Sequence, residues 1–212
     1  MWDNAYIIHE FEGDFVPFKD ILNECAKYRN DNMVIEFAST SKVTFCGGGV
    51  SFLMANKAQM EYIKKLVGFE AICFDKVNQL RHLKFLKDRE NVLAIMKNHA
   101  KFLAPKFAVV KDTLESELGG LEIAKWSNPK GGYFISFDGL EGTAKRTLEL
   151  CEAAGVKMTA AGSTFPYGID PKDTNIRIAP SYPTVEELTD AMHIFTICVK
   201  IAALEKLTGS AE

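Results

Sequence analysis

The chain has 212 residues, 47% of them hydrophobic, with 25 basic against 28 acidic residues and a formal net charge of −3. That length suits one large domain or two smaller ones, and the apolar content suffices for a packed core. No basic stripe favours nucleic acid, and every apolar run falls short of the roughly 18 residues that a membrane span needs. The N-terminus, Met-Trp-Asp-Asn-Ala-Tyr, lacks the basic region and small-residue cleavage site of a signal peptide. Cys25, Cys46, Cys73, Cys151 and Cys198 are scattered and odd in number, and no Cys or His spacing suggests zinc. Reduced thiols in the cytoplasm and no metal are therefore expected.

Residues 1–9 open directly in an apolar stretch, as the interior of a strand does, which suggests that further sequence precedes Met1. Residues 18–28 carry apolar side chains at helical spacing. Residues 33–37 read as a short buried strand, and residues 45–54 as a turn and a second strand. Asn56 is placed to cap a helix over residues 57–67, with Tyr62, Ile63 and Leu66 as its apolar face. Residues 74–87 repeat the helical spacing through Val77, Leu80, Leu83 and Leu86. A long helical pattern runs from Asn91 to Leu118, with Pro105 expected to interrupt or kink it and Gly119-Gly120 to end it.

Beyond Leu121, strands and helices alternate. Strands are expected over 131–137, 156–159 and 175–179, an amphipathic helix over 143–154 closed by Gly155, and a loop over 165–173. Thr184-Val-Glu-Glu187 is a capping box that opens a last helix to about Leu207, with Leu188, Met192, Phe195, Val199 and Ala202 inward.

The chain is organised around residues 33–52, where an apolar run leads into Ser39, Thr40, Ser41 and Lys42, then Gly47, Gly48 and Gly49. An amine between a strand and a glycine-rich turn can act as a nucleophile. The neighbouring hydroxyls can donate to a phosphate, and the glycines let backbone approach a ligand closely. Taken alone, the stretch also suits a surface lysine in a Ser/Gly turn. His9, His82, His99 and His193 show no metal-ligand spacing, and Asn78, Gln79 and Arg81 lie on a polar helical face with no role assigned.

Asp3-x-x-Tyr6, then Ser39-x-Ser41-Lys42, then Asn175-x-Arg177, in that order, resembles the pyridoxal-phosphate aminotransferases of fold type I. The resemblance is closest to a bacterial aspartate-aminotransferase-like subgroup with MWDNAY, EFASTSKVTF, GGYFISFD and NIRIAPS motifs, and it covers essentially the whole chain. It implies an α/β fold. Residues 1–90 would be part of the large-domain sheet, and residues 91–212 the inter-domain helix and the C-terminal small domain. It also implies that the chain is the C-terminal half of such an enzyme.

By the same resemblance Lys42 is the lysine that holds the cofactor covalently and then shuttles the α-proton, and Asp3 is the carboxylate beneath the pyridine nitrogen. Tyr6 would donate to the ring oxygen, Ser39 and Ser41 to the phosphate, and Arg177 would grip the substrate carboxylate through its planar fork. Many members carry a phosphate-binding arginine seven or eight residues after the lysine, where this chain has Gly49 and Val50. The implied activity is amino transfer between an amino acid, such as aspartate or another acidic one, and a 2-oxo acid, in a homodimer. The same motifs would also suit a pyridoxal-phosphate lyase or decarboxylase. A half-length chain leaves room for a third expectation, a non-catalytic domain of the same fold that binds ligand or mediates dimerisation.

Overall fold

Glu36–Ser39 (β2) is the central strand of a three-stranded sheet, between a parallel partner, Trp2–Asp3 (β1), and an antiparallel one, Ser51–Met54 (β3). The structure, a computed structural model, describes residues 1–209 and divides into two units, Met1–His99 and the residues from Ala100 on. In the first unit the helices are Ile21–Lys27 (α1), Lys57–Glu70 (α2) and Lys76–Leu86 (α3). Each starts where a short polar side chain takes up an orphan N–H. Asp20 accepts from Asn23 at 3.0 Å, Asn56 from Gln59 at 2.8 Å and Asp75 from Asn78 at 2.9 Å.

Two expectations for this unit are corrected. The strand begins at Glu36, not Met33, and it is half-buried rather than buried; Met33 itself is 72% exposed. β1 offers only Trp2 and Asp3 as ladder partners, opposite Glu36 and Phe37, so the pairing does not extend back to Met33. The helical spacing of α2 and α3 is present, but their apolar side chains are not covered. Tyr62, Leu66, Val77, Leu80 and Leu83 are all exposed. Periodicity determines that a helix forms; it does not supply the surface that buries its apolar stripe.

Arg89–Leu118 (α4) begins in the first unit and ends in the second. It passes through Pro105 without a break, which corrects the expected interruption. Pro105 and Lys101 both lie on the exposed side, so the carbonyl that loses its helical donor is in reach of water. In the second unit Ala124–Trp126 (β4), Ile135–Gly139 (β5) and Asn175–Ile178 (β6) form an antiparallel sheet in the order β4-β5-β6. Ala144–Ala153 (α5) and Val185–Thr208 (α6) complete the unit. The expected strand over 156–159 does not form: Val156 donates to the Cys151 carbonyl at 2.8 Å, which ties this stretch to the end of α5 and not to a strand.

The core lies in this second unit. Leu103, Phe107, Val110, Leu114 and Leu118 repeat along one face of α4 and are buried, as are Ile135 and Phe137 on β5 and Ile176 and Ile178 on β6. Phe137 meets Phe195 of α6 edge to face at 5.0 Å. The inward positions expected on α6, Leu188, Met192, Phe195, Val199 and Ala202, are all buried. Its capping box is formed: Thr184 accepts from Glu187 N–H at 3.2 Å, and the Glu187 carboxylate accepts from Thr184 N–H at 2.8 Å. Arg146 on α5 grips Glu205 on α6 with two bonds of 2.7 and 2.8 Å, and each group holds the other charged: Arg146 above and Glu205 below its ordinary range. Among the described residues no helix is long and apolar enough to cross a membrane.

Candidate active site

Residues 40–50 join β2 to β3, and Lys42 lies in a single helical turn at the start of that connection. The Thr40 carbonyl organises the turn: it accepts from the N–H groups of Val43 at 2.9 Å and Thr44 at 2.8 Å, and from the Thr44 hydroxyl at 3.0 Å. The base of the loop is closed by two more bonds of 2.9 Å, Thr40 N–H to the Val50 carbonyl and Val50 N–H to the Thr40 hydroxyl. Lys42 is half-buried, and its Nζ stands 5.8 Å from the centroid of the Tyr6 ring, inside the cation–π range.

Asp3 ends β1, opposite Phe37, and Ala5 N–H donates to its Oδ1 at 2.9 Å. Asp3 and Ser39 line one cleft of about 780 Å³, together with Gly49, Asn78 and Gln79; Lys42 and Tyr6 are not among its lining residues. The Ser39 hydroxyl accepts from Ser41 N–H at 3.3 Å, a local turn bond that leaves its own O–H to donate elsewhere. Gly49 passes so close to Ser41 that a Cβ there would stand 2.6 Å from the Ser41 hydroxyl oxygen and 3.0 Å from its backbone nitrogen. Asp3, Tyr6, Ser39, Ser41 and Lys42 thus share the first unit, gathered on the strand pair β1–β2 and the loops that follow each.

Three side chains that hold this loop carry no motif in the sequence. Asn78, on the first turn of α3, donates to the Gly48 carbonyl at 2.9 Å. One turn on, His82 is buried, with Nε2 3.0 Å from the Thr44 hydroxyl and Nδ1 3.0 Å from the Asn78 carbonyl. His9 is buried with Nε2 3.0 Å from the Lys42 carbonyl. The one available signal was weak: Asn78 and His82 are four apart, so they share a helical face.

Arg177 belongs to the second unit, on β6 opposite Ser136. Its guanidinium carbon lies 4.5 Å from the centroid of the Phe134 ring. Among the described residues its buried Nε has no hydrogen-bond partner, so a donor of the fork remains unused. The residue lines a cleft of about 790 Å³ with Val156, Met158, Tyr182 and Leu188. Asn175 fixes the start of its strand, donating to the Ser136 hydroxyl at 3.0 Å and to Asp138 at 2.9 Å while accepting from Thr164 at 2.7 Å. The loop before it is pinned by Asp170, which accepts from the N–H groups of Lys172, Thr174 and Asn175. Burial pushes the Asp170 carboxyl up, but these backbone donors outweigh it and hold it below the usual carboxylate range.

This mixed α/β arrangement is the fold of the pyridoxal-phosphate-dependent aminotransferases. A structure of LysN, the α-aminoadipate aminotransferase of Thermus thermophilus complexed with N-(5'-phosphopyridoxyl)-L-leucine, has the same fold. It matches with a TM-score of 0.75 at 19% identity, over 94% of this chain and 49% of that one. The profile of the aspartate amino-transferase family matches residues 1–211, and the chain belongs to that family. An aspartate aminotransferase of Corynebacterium glutamicum is 43% identical over 205 residues, which is 97% of this chain and 48% of that protein. A Mycolicibacterium smegmatis protein whose name carries the word aminotransferase is 48% identical over 209 residues, 99% of this chain and 49% of its own length. The crystal structure of an aspartate transaminase from Corynebacterium glutamicum matches with a TM-score of 0.94 at 43% identity, over 97% of this chain and 48% of that chain. The chain spans about half the length of the curated relatives it matches.

Proposed function

We propose that this chain supplies the covalent lysine, the ring carboxylate and the substrate arginine of a pyridoxal-phosphate-dependent amino transfer between an amino acid and a 2-oxo acid. The carrying observation is the placement of Lys42: one half-buried amine on a turn whose Val43 and Thr44 N–H groups both reach the Thr40 carbonyl, within cation–π range of the Tyr6 ring, in the loop that follows the strand paired with the Asp3 strand. The donor set suits the cofactor, since an amine, a carboxylate and two hydroxyls match an aldehyde, a ring nitrogen and a phosphate. When bound, pyridoxal phosphate supplies an aldehyde for the amino group and a ring that accepts the electrons released at Cα.

The chain's own residues do the rest. The Lys42 amine would hold the cofactor through its aldehyde and, when free, would take and return the proton at the substrate Cα. The Asp3 carboxylate would favour a protonated ring nitrogen through a charge-assisted hydrogen bond. Tyr6 would donate its hydroxyl to the ring oxygen, and Ser39 and Ser41 would donate theirs to the phosphate. Gly49 and Val50 stand where many members have an arginine, so on this chain hydroxyl and backbone N–H groups would be the donors to the phosphate. Arg177, with Nε unpartnered, offers its fork to the substrate carboxylate. The relatives named for aspartate support an acidic substrate. The free cysteines fit a reducing cytoplasm. The exposed apolar side chains of Phe69, Ile72 and Phe74 fit a partner surface, which we assign to a homodimer.

Incubation with pyridoxal phosphate, borohydride reduction and peptide mapping is expected to place the label on Lys42 and to find none in Lys42→Ala. An unlabelled wild-type chain would overturn the reading.

A further inference from the structure

His9 sits three residues after Tyr6 and is only 3% exposed. Its Nδ1 lies 2.9 Å from the Ile7 carbonyl oxygen, and its Nε2 lies 3.0 Å from the Lys42 carbonyl oxygen. A carbonyl only accepts, so the ring must donate through Nε2 to hold Lys42, and through both nitrogens to hold both carbonyls. The other bonds to the lysine loop act elsewhere: Asn78 on Gly48, His82 on Thr44, and Thr40 on the ends of the turn. His9 is the residue among them that touches the backbone of Lys42 itself. It does so from the segment that carries Asp3 and Tyr6. The Tyr6 ring meets the His9 ring edge on at 6.3 Å, and the Lys42 amine lies over that same Tyr6 ring. His99 is also near: burial first, and the charge of His9 second, hold its imidazole below the usual range.

From this geometry we infer that His9 is a positioning residue for Lys42, joining the lysine turn to the Asp3–Tyr6 segment through its Nε2–H bond to the Lys42 carbonyl. The amine's direction follows from the turn's orientation, and the turn is tied to the ring-binding residues at this point. The turn's own backbone bonds run to the Thr40 carbonyl, so the tie at the Lys42 carbonyl is a separate one. The inference rests on reading Lys42 as the cofactor lysine.

Three substitutions separate the bond from the bulk. The amide nitrogen of His9→Gln reaches as far as Nε2 and keeps the donor to Lys42. That of His9→Asn reaches only as far as Nδ1 and keeps the donor to Ile7. His9→Leu keeps neither. Two quantities are read on the full chain: borohydride-trapped labelling of Lys42 against pyridoxal phosphate concentration, and amide hydrogen exchange of Val43 and Thr44. His9→Gln is expected within about threefold of wild type in both. His9→Asn and His9→Leu are expected to need roughly tenfold more cofactor and to exchange roughly tenfold faster, the effect of one lost hydrogen bond. Should His9→Leu fail to fold, the contrast between the two amide variants decides alone.

Wild-type values in His9→Asn would overturn the inference. So would a folded His9→Gln as impaired as His9→Asn, because the ring and not its bond would then matter. A wild-type chain that takes no label sinks the functional reading, while the exchange rates still decide the claim about His9.

Discussion

Gly49 and Ser41 are packed back to back, with the space for a Cβ at Gly49 already filled by the Ser41 hydroxyl and backbone. Gly49 has ordinary backbone angles, so the demand is for room and not for a left-handed conformation. Gly49→Ala is therefore expected to cost about 1–3 kcal/mol, the range of an overpacked site. Gly68, inside α2, has nothing within 4 Å of its missing Cβ. Gly68→Ala should stabilise the chain by about 0.5–1 kcal/mol, as a glycine relieved in a helix does. Thermal unfolding of the two variants should move in opposite directions, and equal shifts would show that the loop yields freely.

The contrast between the two units shows what the sequence could and could not convey. In the second unit, α6 was legible from end to end, because the Thr184 capping box and the spacing of Leu188, Met192, Phe195 and Val199 are local signals. In the first unit the same spacing marked α2 and α3 as helices, but Leu66, Val77 and Leu83 remain exposed. Burial depends on what else is present to cover a face. The strand expected over 156–159 failed for a related reason: a strand exists only where a neighbouring ladder accepts it.

At the candidate site, Lys42, Ser39 and Asp3 stood out because each falls in a motif of fixed residue type and spacing. His9, Asn78 and His82 carried none. Each acts on a residue some 30 or more positions away in sequence, His9 and Asn78 on backbone carbonyls and His82 on the Thr44 hydroxyl, so only folding reveals the contact.

Asp170 makes the loop before Arg177 sensitive to acid. Its carboxylate accepts several backbone N–H bonds that the protonated form would weaken, and its folded-state value lies below the ordinary one. A depressed carboxylate stabilises the fold at every pH above its unfolded value, and that contribution fades as pH falls through the lower folded value. Glu117, bonded to Lys200 at 2.8 Å, and Glu205, gripped by Arg146, are shifted in the same direction. The melting temperature should thus be flat near neutrality and fall below about pH 4. Asp170→Asn should lower it at neutral pH and flatten the acid limb. An unchanged acid limb in that variant would mean that the loop does not depend on the charge.

The cysteines should divide by burial. Cys46 and Cys73 are exposed, whereas Cys151 and Cys198 are buried side by side between α5 and α6. Burial, and then the neighbouring Cys198, push the Cys151 thiol up to about 12. The thiolate is the nucleophile, so at neutral pH Cys151 is almost wholly in its inert form. Timed iodoacetamide labelling with peptide mapping should find Cys46 and Cys73 modified first and Cys151 only after denaturant is added. Early modification of Cys151 in the folded chain would contradict the packing of α5 on α6.

Lys106 is a buried cation held by two contacts. It is 4% exposed, donates to the Ser181 carbonyl at 2.7 Å, and has its Nζ 4.4 Å from the centroid of the Phe102 ring. Ser181 lies four residues after Arg177, in the turn between β6 and α6, so this bond fixes where the arginine-bearing strand leaves the sheet. Lys106→Met keeps the length and apolar stem but leaves the Ser181 carbonyl without that donor, which should cost about 1–3 kcal/mol. Lys106→Arg keeps a cationic donor for the Ser181 carbonyl and should cost less than Lys106→Met. Urea unfolding of both variants, with hydrogen exchange read over residues 179–183, tests the bond and the site together. If Lys106→Met unfolds like wild type and that turn exchanges no faster, the lysine is merely tolerated in the core and does not hold the turn.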